Sequence, residues 1–181
     1  SAFSVGLINA IESYKGNMLS KKELAEQAIF VEQNLIGENV GSQDQIASAF
    51  GGFNQINFEK DGTFEVNKIL IRKEILDKLN NNCLLFFSNK SRIASNIAKD
   101  QIENIGKNEK KINEMMNMVD IATKLLFTND LDGFGELLND TWQLKKSLSN
   151  KISNNDIDDI YSLGIKNGAL GGKLLGAGGG G

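Results

Sequence analysis

The sequence predicts an α+β fold in which helices outnumber strands, and three observations carry that prediction. Apolar residues recur at helical spacing along most of the 181 residues. Two short extended segments flank Asp61-Gly62, a strong hairpin signal. No internal repeat and no long linker interrupts the pattern.

Residues 1–14 place Phe3, Leu7, Ala10 and Ile11 on one helical face, and Lys15-Gly16-Asn17 ends that helix. Ser20 and Glu23 form a capping box that opens a second helix reaching about Leu35, with Leu24, Ala28, Val31 and Leu35 inward. After a short loop from Gly37 to Gly41, Ser42 is placed to cap a helix from Gln43 to Phe50. Extended segments at 53–59 and 63–69 follow, then a helix at 72–81 and a buried strand at 83–88. Four helices complete the chain. They cover about 92–106, 109–128 (Ile112, Met115, Val119, Ala122 and Leu126 inward), 131–149 (Phe134, Leu137, Leu138, Trp142, Leu148) and 156–167, the last capped by Asn155. Met115, Met116 and Met118 read as adaptable core filler rather than sulfur ligands.

Composition excludes several function classes. Apolar residues make up 40% and charged residues 24%, ordinary for a globular protein, and a formal net charge of −3 argues against a nucleic-acid partner. No histidine is present, which removes Ser-His-Asp chemistry, a Cys-His dyad and any histidine-bearing zinc site. The one cysteine, Cys83, lies in the apolar run to Phe87 and reads as a buried structural thiol in a reducing compartment. No apolar run approaches the ~20 residues of a membrane span and no signal peptide is visible, so the expectation is a cytoplasmic protein.

Two segments carry chemistry. From Gly168 to Gly181 glycine dominates, which lets backbone approach a ligand closely and point successive N–H groups at an anion; a flexible tail has the same composition. Gly176, Gly178 and Gly181 formally match G-x-G-x-x-G, but they follow a helix, so a dinucleotide fingerprint is rejected, and G-x-x-x-x-G-K-[ST] is absent. The second segment is Glu32 followed by Gly41-Ser42-Gln43-Asp44-Gln45. Asp44 falls in the first turn of its helix, where the dipole favours a carboxylate. Alone, Asp44 is an ordinary helix-start acid and Glu32 a solvated helix face. Together they place two carboxylates on successive elements, able to divide metal binding from proton abstraction.

Three ordered motifs resemble the GHMP kinase family. Ser1-Ala2-Phe3-Ser4-Val5-Gly6-Leu7 looks like the end of that family's phosphate motif, and Lys173-Leu174-Leu175-Gly176-Ala177-Gly178-Gly179-Gly180-Gly181 like its carboxy-terminal motif. Ala28 to Glu32 followed by Gly41-Ser42-Gln43-Asp44-Gln45 resembles its metal glutamate and catalytic aspartate. The run from Gln43 to Asn54, with Arg92-Ile93-Ala94-Ser95 and Gly171-Gly172-Lys173, is similar to the members that phosphorylate a heptose 7-phosphate. Phe87-Ser88-Asn89-Lys90-Ser91-Arg92 departs from their Phe-Thr-Gly-x-x-Arg pattern.

The resemblance implies a two-layer GHMP architecture. Residues 1–70 would be the remainder of an amino-terminal ATP-binding domain, and 71–181 a helix-rich carboxy-terminal domain. It implies transfer of the ATP γ-phosphate to the anomeric hydroxyl of a sugar phosphate, with Asp44 as catalytic base and Glu32 holding Mg²⁺. Ser1, Ala2, Gly176, Ala177, Gly178, Gly179 and Gly180 would bind ATP or phosphate, and Ser42, Gln43, Arg92 and Lys173 the substrate. A homodimer is compatible with it. Other acceptors (galactose, fucose, mevalonate), or a non-catalytic interaction module on the same scaffold, are the alternatives. Both ends read as cuts through motifs, so residues 1–181 by themselves are expected not to turn over.

Overall fold

The computed structural model describes residues 1–88, 99, 102–176, 178 and 179. Arg92, Ala177, Gly180 and most of the helix expected at 92–106 lie outside the described residues. The chain divides into two compact units, Ser1–Leu70 and Ile71–Gly181.

The first unit holds α1 (Ala2–Tyr14), α2 (Lys21–Phe30), a π-helical turn (Val31–Leu35), α3 (Gln43–Phe50) and the hairpin β1 (Asn54–Phe58) and β2 (Phe64–Lys68). Ser20 and Glu23 form the expected capping box: the Glu23 amide donates to the Ser20 hydroxyl at 3.2 Å, and the Ser20 amide to the Glu23 carboxylate at 2.8 Å. Val5, Leu24 and Ala28 make the core, with Ile8, Leu19 and Ala49 against it. That core reverses the expected face of α1. Phe3, Leu7 and Ile11 are exposed while Val5 is buried, because α1 is apolar on both sides and its periodicity does not select one. The hairpin forms as expected, in the register Asn54↔Lys68 through Phe58↔Phe64. Its loop has three residues, 60–62, as the bounds of the two extended segments imply. Glu59 and Thr63 close it, with Gly62 at φ +86°, a backbone that glycine adopts without steric cost.

The second unit holds α4 (Lys73–Asn82), α5 (Ile105–Thr128), α6 (Leu131–Lys146) and α7 (Asn155–Lys166). Trp142, Ile152 and Ile157 form its core, flanked by Leu148, Tyr161 and Leu174. Helix α5 starts at Ile105, four residues before the expected start, and the polar Asn108 is accommodated inside it, half-buried with its side-chain amide donating to the Leu148 carbonyl at 3.0 Å. Along α5, Leu126 is buried as expected, but Val119 and Met116 are exposed. Helix α7 is capped by Asn154, not Asn155: Asn154 is extended and its carboxamide oxygen accepts from the Ile157 amide at 3.1 Å. The buried strand expected at 83–88 does not form. Leu84, Leu85, Phe86 and Phe87 are exposed, as is Cys83, since among the described residues no strand pairs with this run and an apolar strand is buried only by neighbours. No helix of the described residues is long and apolar enough to cross a membrane.

Candidate active site

In the first unit the chemistry gathers around Glu32. The π turn closes with an i→i+5 bond from the Ile36 amide to the Val31 carbonyl at 2.9 Å, and such turns are frequent at functional sites. It adds a residue to the helix. Glu32 stays on the inner face with Ala25 and Ala28 and is only 5% exposed, while Leu35, expected inward, swings out to 67%. Glu32 is thus a buried acid and not a solvated one. Burial pushes its pKa up, but hydrogen bonds from Ser4 and Ser1 outweigh that cost and hold it below the ordinary glutamate value.

The two carboxylate oxygens differ. Oε2 accepts from the Ser1 hydroxyl at 3.0 Å and from the Gln45 side-chain amide at 2.6 Å. Oε1 is buried, accepts no hydrogen bond, and faces the Ser1 amino group at 3.3 Å. No group of three or more His, Cys, Asp or Glu among the described residues could cage an ion. A phosphoryl-transfer Mg²⁺ needs no such cage. It takes one or two carboxylates and completes its shell with water and substrate phosphates, and Glu32 with the Ser1 hydroxyl fits that donor set.

The loop after the π turn is braced by Gln33, whose amide donates to the Val40 carbonyl at 2.9 Å and the Ser42 hydroxyl at 3.1 Å. Ser42 occupies the N-cap position of α3 but does not cap it. Its backbone is already helical, which turns the hydroxyl away from the first amides and toward Gln33. Gln43 and Asp44 follow, both exposed in the first turn, so Asp44 faces solvent while its neighbour Gln45 points inward to Glu32. Ser1 is the N-cap of α1 and Ala2 its first, exposed residue. The fold therefore assembles Ser1, Glu32 and the start of α3. The other end of α3 borders an open cavity of about 350 Å³. There the Lys21 ammonium donates to the Phe50 carbonyl at 2.5 Å, which caps the helix end rather than building a catalytic group.

In the second unit the glycine-rich segment is ordered against α6 and the loop before α7. Gly171 lies so close to α6 that an added Cβ would overlap the Gly135 carbonyl oxygen. Gly178 and Gly179 are buried at positive φ, and the Gly179 amide donates to the Ile152 carbonyl at 2.8 Å. Gly176 is exposed at φ +70°. Lys145 ties the segment down, donating to the Gly176 carbonyl at 2.7 Å and the Leu174 carbonyl at 3.2 Å. Lys173 presents an exposed side chain whose ammonium is still partly desolvated, which lowers its pKa.

Burial and, second, the charge of Lys173 pull Lys145 from 10.5 down to about 8. A neutral amine retains two hydrogens, so both carbonyl contacts survive deprotonation. Above about pH 8 and up to 10.5 the folded chain lacks a proton that the unfolded chain holds, so this group makes unfolding free energy rise with pH across that window. Pulsed acylation read by mass spectrometry should titrate Lys145 with a midpoint near 8. A midpoint above 10 would show the desolvation to be absent.

Sequence reasoning missed Gln45, Gln33 and Lys145. Gln45 left a signal: with Ile46 and Ala49 it falls on the inward face of α3, where a polar residue needs a partner.

Profiles of one family match both ends of the chain: the GHMP kinases N terminal domain over residues 1–52 and the GHMP kinases C terminal domain over residues 122–181. The chain belongs to the GHMP kinase family. It is 34% identical over 184 aligned residues to the D-glycero-alpha-D-manno-heptose 7-phosphate kinase of Campylobacter jejuni, an alignment covering all of this chain and 54% of the relative. The chain thus spans about half the length of the curated relative it matches. Among solved structures, L. major mevalonate kinase in complex with R-mevalonate shares the fold with TM-score 0.70 at 19% identity, over 98% of this chain and 53% of that one. A D-glycero-D-manno-heptose 1-phosphate kinase from Bacteroides thetaiotaomicron does so with TM-score 0.64 at 24% identity, over 96% and 48%.

Proposed function

We propose that the protein carrying this chain is an ATP-dependent sugar kinase acting on the anomeric hydroxyl of D-glycero-D-manno-heptose 7-phosphate, giving the 1,7-bisphosphate. The observation that carries the reading is the division of labour between two acids: Glu32 buried and held ionised, Asp44 exposed one residue before Glu32's own partner, Gln45. The Campylobacter relative supports the choice of acceptor.

In this reading Asp44 orients the anomeric hydroxyl and accepts its proton as the oxygen attacks the γ-phosphorus. The new P–O bond forms as the bond to the ADP oxygen breaks, and little else is asked of the protein beyond positioning and charge neutralisation. Mg²⁺ supplies neutralisation of the phosphate charge, and Glu32 with the Ser1 hydroxyl holds it. Amides at the start of α1, around Ser1 and Ala2, bind phosphate, as a helix N-terminus does. Residues 1–70 serve ATP binding and catalysis. Residues 71–181 contribute the glycine-rich segment, with Gly176, Gly178 and Gly179 shaping the phosphate side and Lys173 meeting the sugar's own phosphate. Ser42, Gln43 and Arg92 complete the substrate contacts, and the enzyme works in the cytoplasm.

The test is ADP release by the full-length protein with Mg·ATP and a panel of acceptors. Heptose 7-phosphate should give the highest kcat/KM. Preference for galactose, fucose or mevalonate would reassign the acceptor, and no ADP release with any would remove the kinase reading.

A further inference from the structure

We propose that Gln45 is the positioning residue that presents one oxygen of Glu32 to a divalent cation. The inference rests on the kinase reading above, because that reading supplies the cation. Gln45 is fully buried, and its amide donates to Glu32 Oε2 at 2.6 Å, a short bond of the charge-assisted kind. The Ser1 hydroxyl donates to the same oxygen at 3.0 Å. Two of the donors to Glu32 thus sit on Oε2, while Oε1 is buried, accepts no hydrogen bond and has the Ser1 nitrogen 3.3 Å away, which leaves it as the oxygen a monodentate cation would take.

The orientation of the carboxamide is fixed by its partner. Turned over, it would set its carbonyl oxygen against an anion, so the NH₂ faces Glu32. The Gln45 carbonyl oxygen is itself buried and unbonded. An apolar side chain would fill the space without stranding that oxygen, so packing alone does not account for a glutamine here. The contact also joins two elements, the π turn that carries Glu32 and the first turn of α3 that carries Asp44. Gln45 thereby sets the metal carboxylate relative to the helix that bears the base.

The experiment measures Mn²⁺ binding to the full-length protein in the presence of a non-hydrolysable ATP analogue, reading free Mn²⁺ by electron paramagnetic resonance. Gln45→Met keeps length and removes the donor. Gln45→Asn keeps the amide but falls one methylene short, which provides a second variant should the first not fold. Either folded variant should weaken Mn²⁺ binding about tenfold, the lower end of the usual loss when a residue supporting a ligand is removed. The Mg²⁺ concentration for half-maximal rate should rise in parallel with the sugar KM unchanged, a split that loss of packing does not produce. A Kd within about twofold of the parent in a folded variant, while Glu32→Gln weakens binding, would overturn the role of Gln45 alone. Unchanged binding in Glu32→Gln would overturn the metal reading itself, and this inference with it.

Discussion

Asp44→Asn is expected to lower kcat by at least about 10³-fold in the full-length protein while ATP binding is retained. A positioned general base contributes roughly 10²–10⁴-fold, and an amide cannot take the proton. The fold gives this substitution little else to disturb. Asp44 is exposed in the first turn of α3, and among the described residues no hydrogen bond or ion pair ties it down. Losing its charge at a helix N-terminus costs roughly 0.3–1 kcal/mol, too little to unfold the protein. Single-turnover kinetics with ATP affinity measured separately decides the matter. A kcat within about tenfold of the parent, roughly 1.4 kcal/mol, would remove Asp44 from the reaction.

Gly171→Ala should be the most damaging single methyl in the second unit. The added Cβ would overlap the Gly135 carbonyl oxygen and lie 2.5 Å from the Asn139 backbone nitrogen, both part of α6. Helix backbone cannot give way as a side-chain tip can, so relief requires the segment to lift from α6. Overpacking typically costs 1–3 kcal/mol, and backbone obstruction belongs at the upper end. For a unit of this size that corresponds to a fall in Tm of roughly ten degrees. Gly106→Ala in α5 is the control: open space surrounds its Cβ, and alanine is the better helix former by roughly 1 kcal/mol. A Gly171→Ala protein melting within two degrees of the parent would mean that the segment does not rest on α6 in solution.

Local signals in the sequence proved reliable where the physics is local. The Ser20–Glu23 capping box and the Asp61-Gly62 hairpin are each written within a few residues, and both form. Signals that depend on a partner elsewhere did not carry. The run from Cys83 to Phe87 has the composition of a buried strand, but burial belongs to the neighbour that covers it, and among the described residues no strand does. Asn154 and Asn155 are equally good caps by type; only the extended backbone at Asn154 chooses between them. For the site, the residue types at 32 and 44 were legible by their likeness to the family motif. The burial of Glu32, its pairing with Gln45 and the grip of Lys145 on two carbonyls come from elements meeting in space, which periodicity within one element does not encode.

The π turn has a consequence for how this stretch tolerates changes in length. A helix that closes one turn with an i→i+5 bond has absorbed an extra residue without breaking. Removing one residue from 33–35 would let the chain revert to α-helix, each residue of which advances 1.5 Å and turns about 100°. Glu32 precedes the excision and would keep its phase on the inner face. Everything after the excision would rotate, including Val40 and Ser42, which would lose their bonds to the Gln33 carboxamide. Such a deletion is expected to be well folded and catalytically poor, since the secondary structure becomes more regular as the lead into α3 loses its brace. Length changes in the exposed turn at 60–62 leave every one of these contacts in place.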